Sequence, residues 1–359
     1  MPATRRSTAG SKASGRCVPA HATAWRSASA GEARGARRNQ RTDNQRRLSM
    51  QDQPVAIVGG GSIGVGFAIV FARAGARVAV YDASPERRAA IPGEIAARLG
   101  DLHDHGLLDE PAAAIAARVA VHAELARTLD GARLVQECAP ERLDLKIALF
   151  AELDALAHPD AILASASSAL VVSSFAEALP GRARCLIAHP GNPPYLIPVI
   201  EIVPAAFTDP AVVERALARY AAAGMSAIRV AREIEGFVFN RLQGAVLREA
   251  WCLVRDGVTS VEAIDRVMRD GLGLRWAVIG PFETSDLNTR GGIAAHAERM
   301  GPAYARMGAS RGQHDPWTPE LVAEVEAQRR ASLPIERWEA AVRARDLGLM
   351  RLMRLRREG

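Results

Sequence analysis

Cysteine is scarce in this sequence, with four in 359 residues, and aromatic side chains make up 5%. The thiols Cys17, Cys138, Cys185 and Cys252 are scattered without close pairing, which excludes a disulfide scaffold, a zinc ribbon and a Cys-x-x-Cys redox pair. Reduced thiols in a cytoplasmic protein are expected, and no metal. Long apolar runs are also missing. The most apolar stretch, Val55 to Tyr81, is broken by six glycines and two arginines, so neither a spanning helix nor a membrane partner is expected. A true excess of positive charge is absent as well. The net charge of +6 divides into a first segment, residues 1–49, with 11 basic and two acidic residues, and a body with 35 basic and 38 acidic. The body makes no case for a nucleic-acid surface. At 48% hydrophobic and 24% charged, the composition is that of an ordinary globular protein, long enough for two domains.

Residues 1–49 are rich in Arg, Ser, Ala and Gly and show no hydrophobic period. Such a segment cannot bury enough surface to offset the entropy of ordering it, and it reads as a disordered basic extension. It lacks the apolar centre of a secretory signal. Three readings stand: an organelle transit peptide, a non-specific nucleic-acid contact, and, preferred, an extension without function upstream of a start at Met50. Folded structure is expected from about Gln53.

In the body, Pro54 to Val58 is a short β-branched run ending in glycines, the pattern of a buried parallel strand. Ser62 to Ala74 follows with helical spacing of Ile63, Phe67, Val70 and Phe71, and Arg77 to Tyr81 is a second apolar strand. Strand, glycine-rich turn, helix and strand within 30 residues open a doubly wound, Rossmann-type α/β sheet. Residues 85–130, Ala-rich and charged, read as a helical hairpin. Further strands are expected at 132–137, 161–164, 185–188, 199–203 and 226–230, with helices at 143–156 and 210–223. Beyond Glu235 the strand signals stop, and 237–255, 261–270 and about 335–355 read as helices. The expected layout is a dinucleotide-binding domain over 50–233 followed by a smaller all-α domain over 234–359.

Gly59-Gly60-Gly61-Ser62-Ile63-Gly64 carries the G-x-G-x-x-G spacing. Gly59 permits the tight turn, Gly61 lets the backbone approach a diphosphate, and Gly64 lets helix and strand pack closely. The helix start at Ser62 and Ile63 turns free N–H groups toward the phosphates. Asp82, 23 residues after Gly59 at the end of the next strand, suits a ribose 2′-hydroxyl and would repel a 2′-phosphate, so the expected cofactor is NAD.

Three polar clusters lie downstream: Ser165-Ala-Ser-Ser168, His189-Pro-Gly-Asn-Pro-Pro194, and Gly236-Phe-Val-Phe-Asn240-Arg241 opening an apolar helix. Glu201 stands alone in the apolar run Val199 to Val203. An unpaired buried carboxylate is costly, so it faces a polar cleft or has a dedicated partner, for which His189 is the obvious choice. Removing hydride from a secondary alcohol needs a base for the hydroxyl proton. Histidine with a carboxylate on its other nitrogen suits that role, and neutral donors such as Ser or Asn can hold the reacting oxygen. Taken singly, His189 reads equally as a turn residue, Ser168 as a cap and Asn240 as a helix-start residue.

Together these residues resemble the 3-hydroxyacyl-CoA dehydrogenase family, most closely the branch containing lambda-crystallin and the L-gulonate 3-dehydrogenases. The motifs are His189–Pro193 extended through Glu201, Gln136 to Glu141 followed by Lys146, Gly236 to Gln243, and Gly271 to Trp276 with Gly280 to Thr284 and Asp286 to Asn288. The similarity spans about residues 53–357. It implies His189 as general base, Glu201 as its orienting partner, and Ser168 and Asn240 on the reacting oxygen. Ser168 is preferred to Ser167 because it precedes His189 by 21 residues, the family's spacing. It further implies that Gly59, Gly61, Gly64, Asp82, Glu141 and Lys146 contact NAD, and that the chain forms a homodimer.

The family divides between acyl-CoA thioesters and free hydroxy acids such as L-gulonate or L-carnitine. Residues 85–130 contain no lysine, and their five arginines face eight acids, a composition that disfavours phosphate-bearing CoA. Arg241 and Arg275 are candidates for a substrate carboxylate, or equally for structural ion pairs. The expected activity is NAD-dependent oxidation of the 3-hydroxyl of a small hydroxy acid, L-gulonate first. The alternatives are a 3-hydroxyacyl-CoA, L-carnitine, and a non-enzymatic NAD-binding role of the crystallin kind.

Overall fold

A computed structural model of the chain describes residues 50, 53–290, 292–311, 318–332 and 334–358. The readings of the basic extension fall on residues 1–49 and so lie outside the described residues.

The strands are β1 (Val55–Val58), β2 (Val78–Tyr81), β3 (Val119–His122), β4 (Leu134–Glu137), β5 (Ile162–Ser165), β6 (Cys185–Pro190), β7 (Val199–Pro204) and β8 (Ser226–Arg229). They form one sheet in the order β3-β2-β1-β4-β5-β6-β7-β8. Neighbours run parallel except β6 and β7, which are antiparallel. The strand order reverses between β1 and β4, the crevice where doubly wound sheets take their ligands at the carboxyl ends of the strands.

Alternation along β1 divides the core. Val55 and Ile57 point into one layer and Ala56 and Val58 into the other. The first layer is closed by helices α1 (Ser62–Arg73) and α2 (Pro85–Asp104), which supply Phe67, Phe71, Ile91, Ile95 and Leu99. The opposite layer receives Leu125 and Leu129 from α4 (Leu125–Leu129), after the short α3 (Ala112–Ala116), and Phe150 and Leu153 from α5 (Leu143–Leu156). The four-residue α6 (Ser173–Ala176) adds Phe175 to that layer, while α7 (Pro210–Ala222) returns Val212, Ala216 and Tyr220 to the first.

One expectation is corrected here. Residues 85–130 are not a helical hairpin, because α2 and α3 are followed by β3, which pairs with β2 at the edge of the sheet. The strand has four residues, none fully buried, and alanine-rich flanks, so its period-2 signal is too short to stand out from the helical one.

Beyond β8, the described residues are helical: α8 (Phe239–Arg255), α9 (Val261–Val267), a π-turn at Met268–Leu272, α10 (Gly273–Trp276), α11 (Pro281–Leu287), α12 (Gly292–Ala309), α13 (Pro319–Ser332) and α14 (Trp338–Glu358). The α/β sheet followed by an all-α part is thus the architecture expected; α10, α11, α12 and α13 are additions to the helices expected there. Residues 50–359 form one compact unit. Met350 of α14 is buried in the same core as Met50, Leu99 and Leu102, and Arg343 forms an ion pair of 2.6 Å with Asp101 of α2.

Candidate active site

The glycine-rich turn follows β1 directly. Gly59 has φ +105°, and a Cβ there would stand 2.6 Å from the Cys138 carbonyl carbon, so only glycine fits between β1 and the end of β4. A Cβ on Gly64 would overlap the Gly59 carbonyl oxygen. At Gly61, by contrast, a side chain would meet nothing within 4 Å, and no side chain caps α1, so Ser62 and Ile63 begin the helix at an open face. Two guanidinium groups hold the carbonyl side of this turn. Arg87 donates to Gly60 O at 2.6 Å and Arg98 to Ser62 O at 3.2 Å.

Asp82, one residue past β2, accepts from Gly60 N at 2.7 Å through Oδ2 and from Ser84 N at 2.9 Å through Oδ1. It is partly exposed, with its carboxylate at the lip of the turn. An uncapped helix start, an open approach at Gly61 and a carboxylate at the end of β2 fit the diphosphate and adenosine ribose of a dinucleotide.

The base and its partner are placed by strand register. His189 near the end of β6 lies directly opposite Glu201 on antiparallel β7. Both side chains are buried, and His189 Nδ1 donates to Glu201 Oε2 at 2.8 Å. An ionised carboxylate only accepts, so Nδ1 carries a proton, and in the neutral imidazole this leaves the lone pair on Nε2. Burial alone would raise the Glu201 pKa. The hydrogen bond from His189 and those from Val238 N (2.8 Å) and Phe239 N (3.0 Å) outweigh it and hold Glu201 below the ordinary carboxylate value. Glu201 therefore joins the base to the first turn of α8. Phe237, buried at φ +47°, packs its ring 5.3 Å from the His189 ring, and Phe239 stands edge-on at 6.2 Å.

The same turn of α8 carries Asn240, whose Nδ2 donates to Ser168 O at 3.3 Å. Ser168 is exposed on the loop after β5, while Ser167 is buried and its hydroxyl is taken by Glu141. Glu141 also accepts from the backbone N–H groups of Ser168, Ala169 and Leu170. Lys146 is 1% exposed and gives its ammonium to both oxygens of Glu137, each at 2.9 Å. Ser165 Oγ completes that buried group with a 2.5 Å bond to Glu137. The Lys146 ammonium is thus engaged inside the fold by Glu137.

His189, Glu201, Asn240, Ser168 and Glu141 form one connected chain of contacts, with the glycine-rich turn and Asp82 on the neighbouring strands. Arg241 and Arg275 are exposed and have no ion-pair or hydrogen-bond partner among the described residues. Glu137, Ser165, Phe237 and Phe239 stand inside the sequence motifs without an assigned role, yet the first two form a buried group with Lys146 and the last two wall the imidazole. Their roles are set by partners on other elements, Lys146 for Glu137, Glu137 for Ser165 and His189 for the two rings, none of which shows as a local pattern.

Comparison with known proteins agrees with this geometry. The family model for the NAD-binding domain of 3-hydroxyacyl-CoA dehydrogenase matches residues 54–234, and that for its C-terminal domain matches 236–336. Lambda-crystallin of Oryctolagus cuniculus is 38% identical over 308 residues, 85% of this chain and 96% of its own length. A 3-hydroxyacyl-CoA dehydrogenase of Gibberella moniliformis is 35% identical, covering 85% and 95% of the two chains. The crystal structure of 5-formyl-3-hydroxy-2-methylpyridine 4-carboxylic acid 5-dehydrogenase, an NAD+-dependent dismutase, superposes with a TM-score of 0.74. It is 25% identical and covers 84% of this chain and 98% of its own.

Proposed function

This chain belongs to the 3-hydroxyacyl-CoA dehydrogenase family and is an NAD-dependent oxidoreductase acting on CH–OH groups; on that premise we propose that it oxidises the 3-hydroxyl of a small free hydroxy acid, L-gulonate first, to the 3-keto acid. The observation that carries the reading is the buried His189–Glu201 pair joined through α8 to Asn240 and Ser168. Nε2 of His189 takes the hydroxyl proton, and Glu201 stabilises the imidazolium that results. The Ser168 hydroxyl and the Asn240 amide hold the oxygen as it becomes a carbonyl. NAD, which the turn from Gly59 to Gly64 and Asp82 would hold, would supply the hydride acceptor. Phe237 and Phe239 keep water from the imidazole. Residues 50–233 hold the cofactor and 234–359 complete the substrate side.

Three observations support a free acid over a CoA thioester. Arg87, Arg98 and Arg118 are engaged by Glu94, by the Ser62 carbonyl and by Glu110, and Arg88 binds the carbonyls of Asp82 and Ala83. Of the five arginines in residues 85–130, only Arg127 has no hydrogen-bond or ion-pair partner among the described residues, so most of the segment's guanidinium groups are already engaged. Arg241, next to Asn240 in the chain, is free to meet a carboxylate, as is Arg275. Finally, the structural relative above acts on a carboxylic acid. Initial rates of NADH formation by the full chain test this, with L-gulonate, L-carnitine, L-3-hydroxybutyrate and 3-hydroxybutyryl-CoA at matched concentrations. The expected result is the highest kcat/KM for L-gulonate. A preference for the thioester would replace this reading with acyl-CoA oxidation, and tight NADH binding without turnover would favour the crystallin-like role.

Asp82→Ala is expected to narrow the preference for NAD over NADP by about 10- to 100-fold, the worth of a charge-assisted hydrogen-bond pair. The ratio of kcat/KM for the two cofactors measures it. An unchanged ratio would mean that another group reads the ribose.

The helical part leaves Leu242, Leu274, Val278, Phe282 and Leu287 exposed, with Val278 at 84% and Phe282 at 79%. Apolar exposure on that scale is the mark of an interface, and we assign it to a second copy of the chain. Light scattering is expected to give twice the chain mass of 38.3 kDa; a monomer would overturn the assignment. Among the described residues no helix is long and apolar enough to cross a membrane, and Cys138, Cys185 and Cys252 are unpaired. Unpaired thiols suit a reducing compartment, which supports a cytoplasmic location.

A further inference from the structure

We infer that Glu94 is a positioning residue for the cofactor, acting through Arg87 and Arg98 to aim backbone N–H groups of the glycine-rich turn at the diphosphate. The inference rests on the reading that the turn from Gly59 to Gly64 holds the diphosphate. Glu94 lies on α2, and its two carboxylate oxygens are divided between two guanidinium groups. Arg87 donates to Oε1 at 2.6 Å, and Arg98 stands 3.6 Å from Oε2. Each guanidinium reaches on to a carbonyl of the turn, Arg87 to Gly60 O at 2.6 Å and Arg98 to Ser62 O at 3.2 Å. One carboxylate thus governs two carbonyls two residues apart.

The consequence follows from the planarity of the peptide group. In a trans peptide the carbonyl and the next N–H point to opposite sides. Holding Gly60 O and Ser62 O toward α2 therefore turns Gly61 N–H and Ile63 N–H away from it, at a helix start that no side chain caps. These are the N–H groups that a helix start offers to an anion. Other contacts keep the clamp in place. A Cβ on Gly60 would run into Ile91 of α2, so turn and helix are in direct contact. Gly60 N–H is donated to Asp82, which fixes the other side of the same residue. Arg98 also lies over the Tyr195 ring, 5.8 Å from its centroid. The hydrogen bond from Arg87 outweighs burial and holds Glu94 below the ordinary carboxylate value, so the clamp is charged at neutral pH. Arg87 and Glu94 are each about a third exposed, and such pairs add little to stability, so what the network supplies is geometry.

Charge alone and positioning predict opposite signs for Glu94→Gln. Removing a negative charge near an anionic ligand tightens binding on electrostatic grounds, whereas releasing the two guanidinium groups weakens it. The test titrates the full chain with NADH by fluorescence and with ADP-ribose in competition. Glu94→Gln is expected to weaken both by about tenfold, through loss of a preorganised turn. With the best substrate of the panel above, kcat at saturating NAD is expected to stay within about threefold. The urea unfolding midpoint is expected to be unchanged. In the protein without added cofactor, amide hydrogen exchange over residues 60–65 is expected to quicken by about tenfold, with exchange in β1 and β6 unchanged. Arg87→Gln combined with Arg98→Gln is expected to weaken NADH as well, and adding Glu94→Gln to that pair to change affinity by less than about threefold. Glu94→Asp keeps the charge with a shorter reach and is expected to fall between the parent and Gln; it also serves if the Gln variant does not fold. Gly61→Val is the control for the underlying reading, because a side chain there meets nothing in the protein and only a ligand would feel it. If Gly61→Val leaves NADH affinity unchanged, the turn is not the diphosphate site, and the inference falls with it. If Gly61→Val weakens NADH while Glu94→Gln binds it as tightly as the parent or more tightly, the turn reading stands and the role of Glu94 is overturned. A lowered unfolding midpoint with faster exchange throughout β1 would make Glu94 a packing residue and overturn the inference as well.

Discussion

His189→Ala is expected to bind NADH as the parent protein does and to lose about 10²- to 10⁴-fold in kcat, the usual contribution of a positioned general base. The two halves of this result have separate physical origins. The cofactor surface is built from Gly59 to Gly64 on β1 and α1 and from Asp82 after β2, none of which touches the imidazole. The loss in turnover follows because His189 is buried between Phe237 and Phe239, with Nδ1 engaged by Glu201 and only Nε2 left for chemistry. A truncated side chain leaves a gap between the two rings and the Glu201 carboxylate, without the imidazole that takes the proton. Rates at raised pH add a second check, since hydroxide can partly replace the missing base and the deficit should narrow as pH rises. Rates equal to the parent's would remove His189 as the base.

The parts of this site that were legible in the sequence are those where a polar residue breaks an apolar strand pattern. Glu201 among valines and isoleucines, and His189 after Leu186-Ile-Ala, stand out because burying either alone is unfavourable. The antiparallel register of β6 and β7 then sets them face to face, as the search for a partner for Glu201 anticipates. The glycine-rich turn was legible because backbone sterics leave no alternative residue where β1 meets the Cys138 backbone. Glu141 was legible as an important residue through family resemblance, but not in its contacts. Its partners are N–H groups some 28 residues away, and backbone donors leave no mark in composition or spacing. Lys146 was likewise named through family resemblance, but its ion pair with Glu137 at the end of β4 joins two different elements and leaves no local pattern. The edge strand β3 escaped because Val119 and Val121 are too few to establish a period among alanines.

Glu201→Gln is expected to be nearly as damaging as loss of the base, although it changes only one heavy atom of the site. Oε1 accepts two backbone N–H groups of the α8 start and Oε2 accepts the imidazole N–H. A glutamine has only one acceptor oxygen. If that oxygen stays with Val238 and Phe239, the amide NH2 faces Nδ1, forces the proton to Nε2 and removes the lone pair needed for catalysis. If it turns to the imidazole, two N–H groups of α8 face an NH2 group, and the turn bearing Asn240 loses its anchor. Either outcome should lower kcat by about 10²- to 10⁴-fold, the scale seen when an orienting carboxylate is made neutral, and should destabilise the protein by roughly 1 to 3 kcal/mol. The pH dependence separates this variant from a general packing defect. Because Glu201 is held below the ordinary carboxylate value when folded, its stabilisation is fully present above the unfolded value of about 4.3 and is lost as pH falls through the lowered folded value. The stability gap between parent and Glu201→Gln should therefore be widest near neutral pH and close as the solution becomes acid. Denaturant unfolding over a pH series measures that gap directly. A gap that stays constant into acid would mean that the charge of Glu201 plays no part in holding α8 and His189 together.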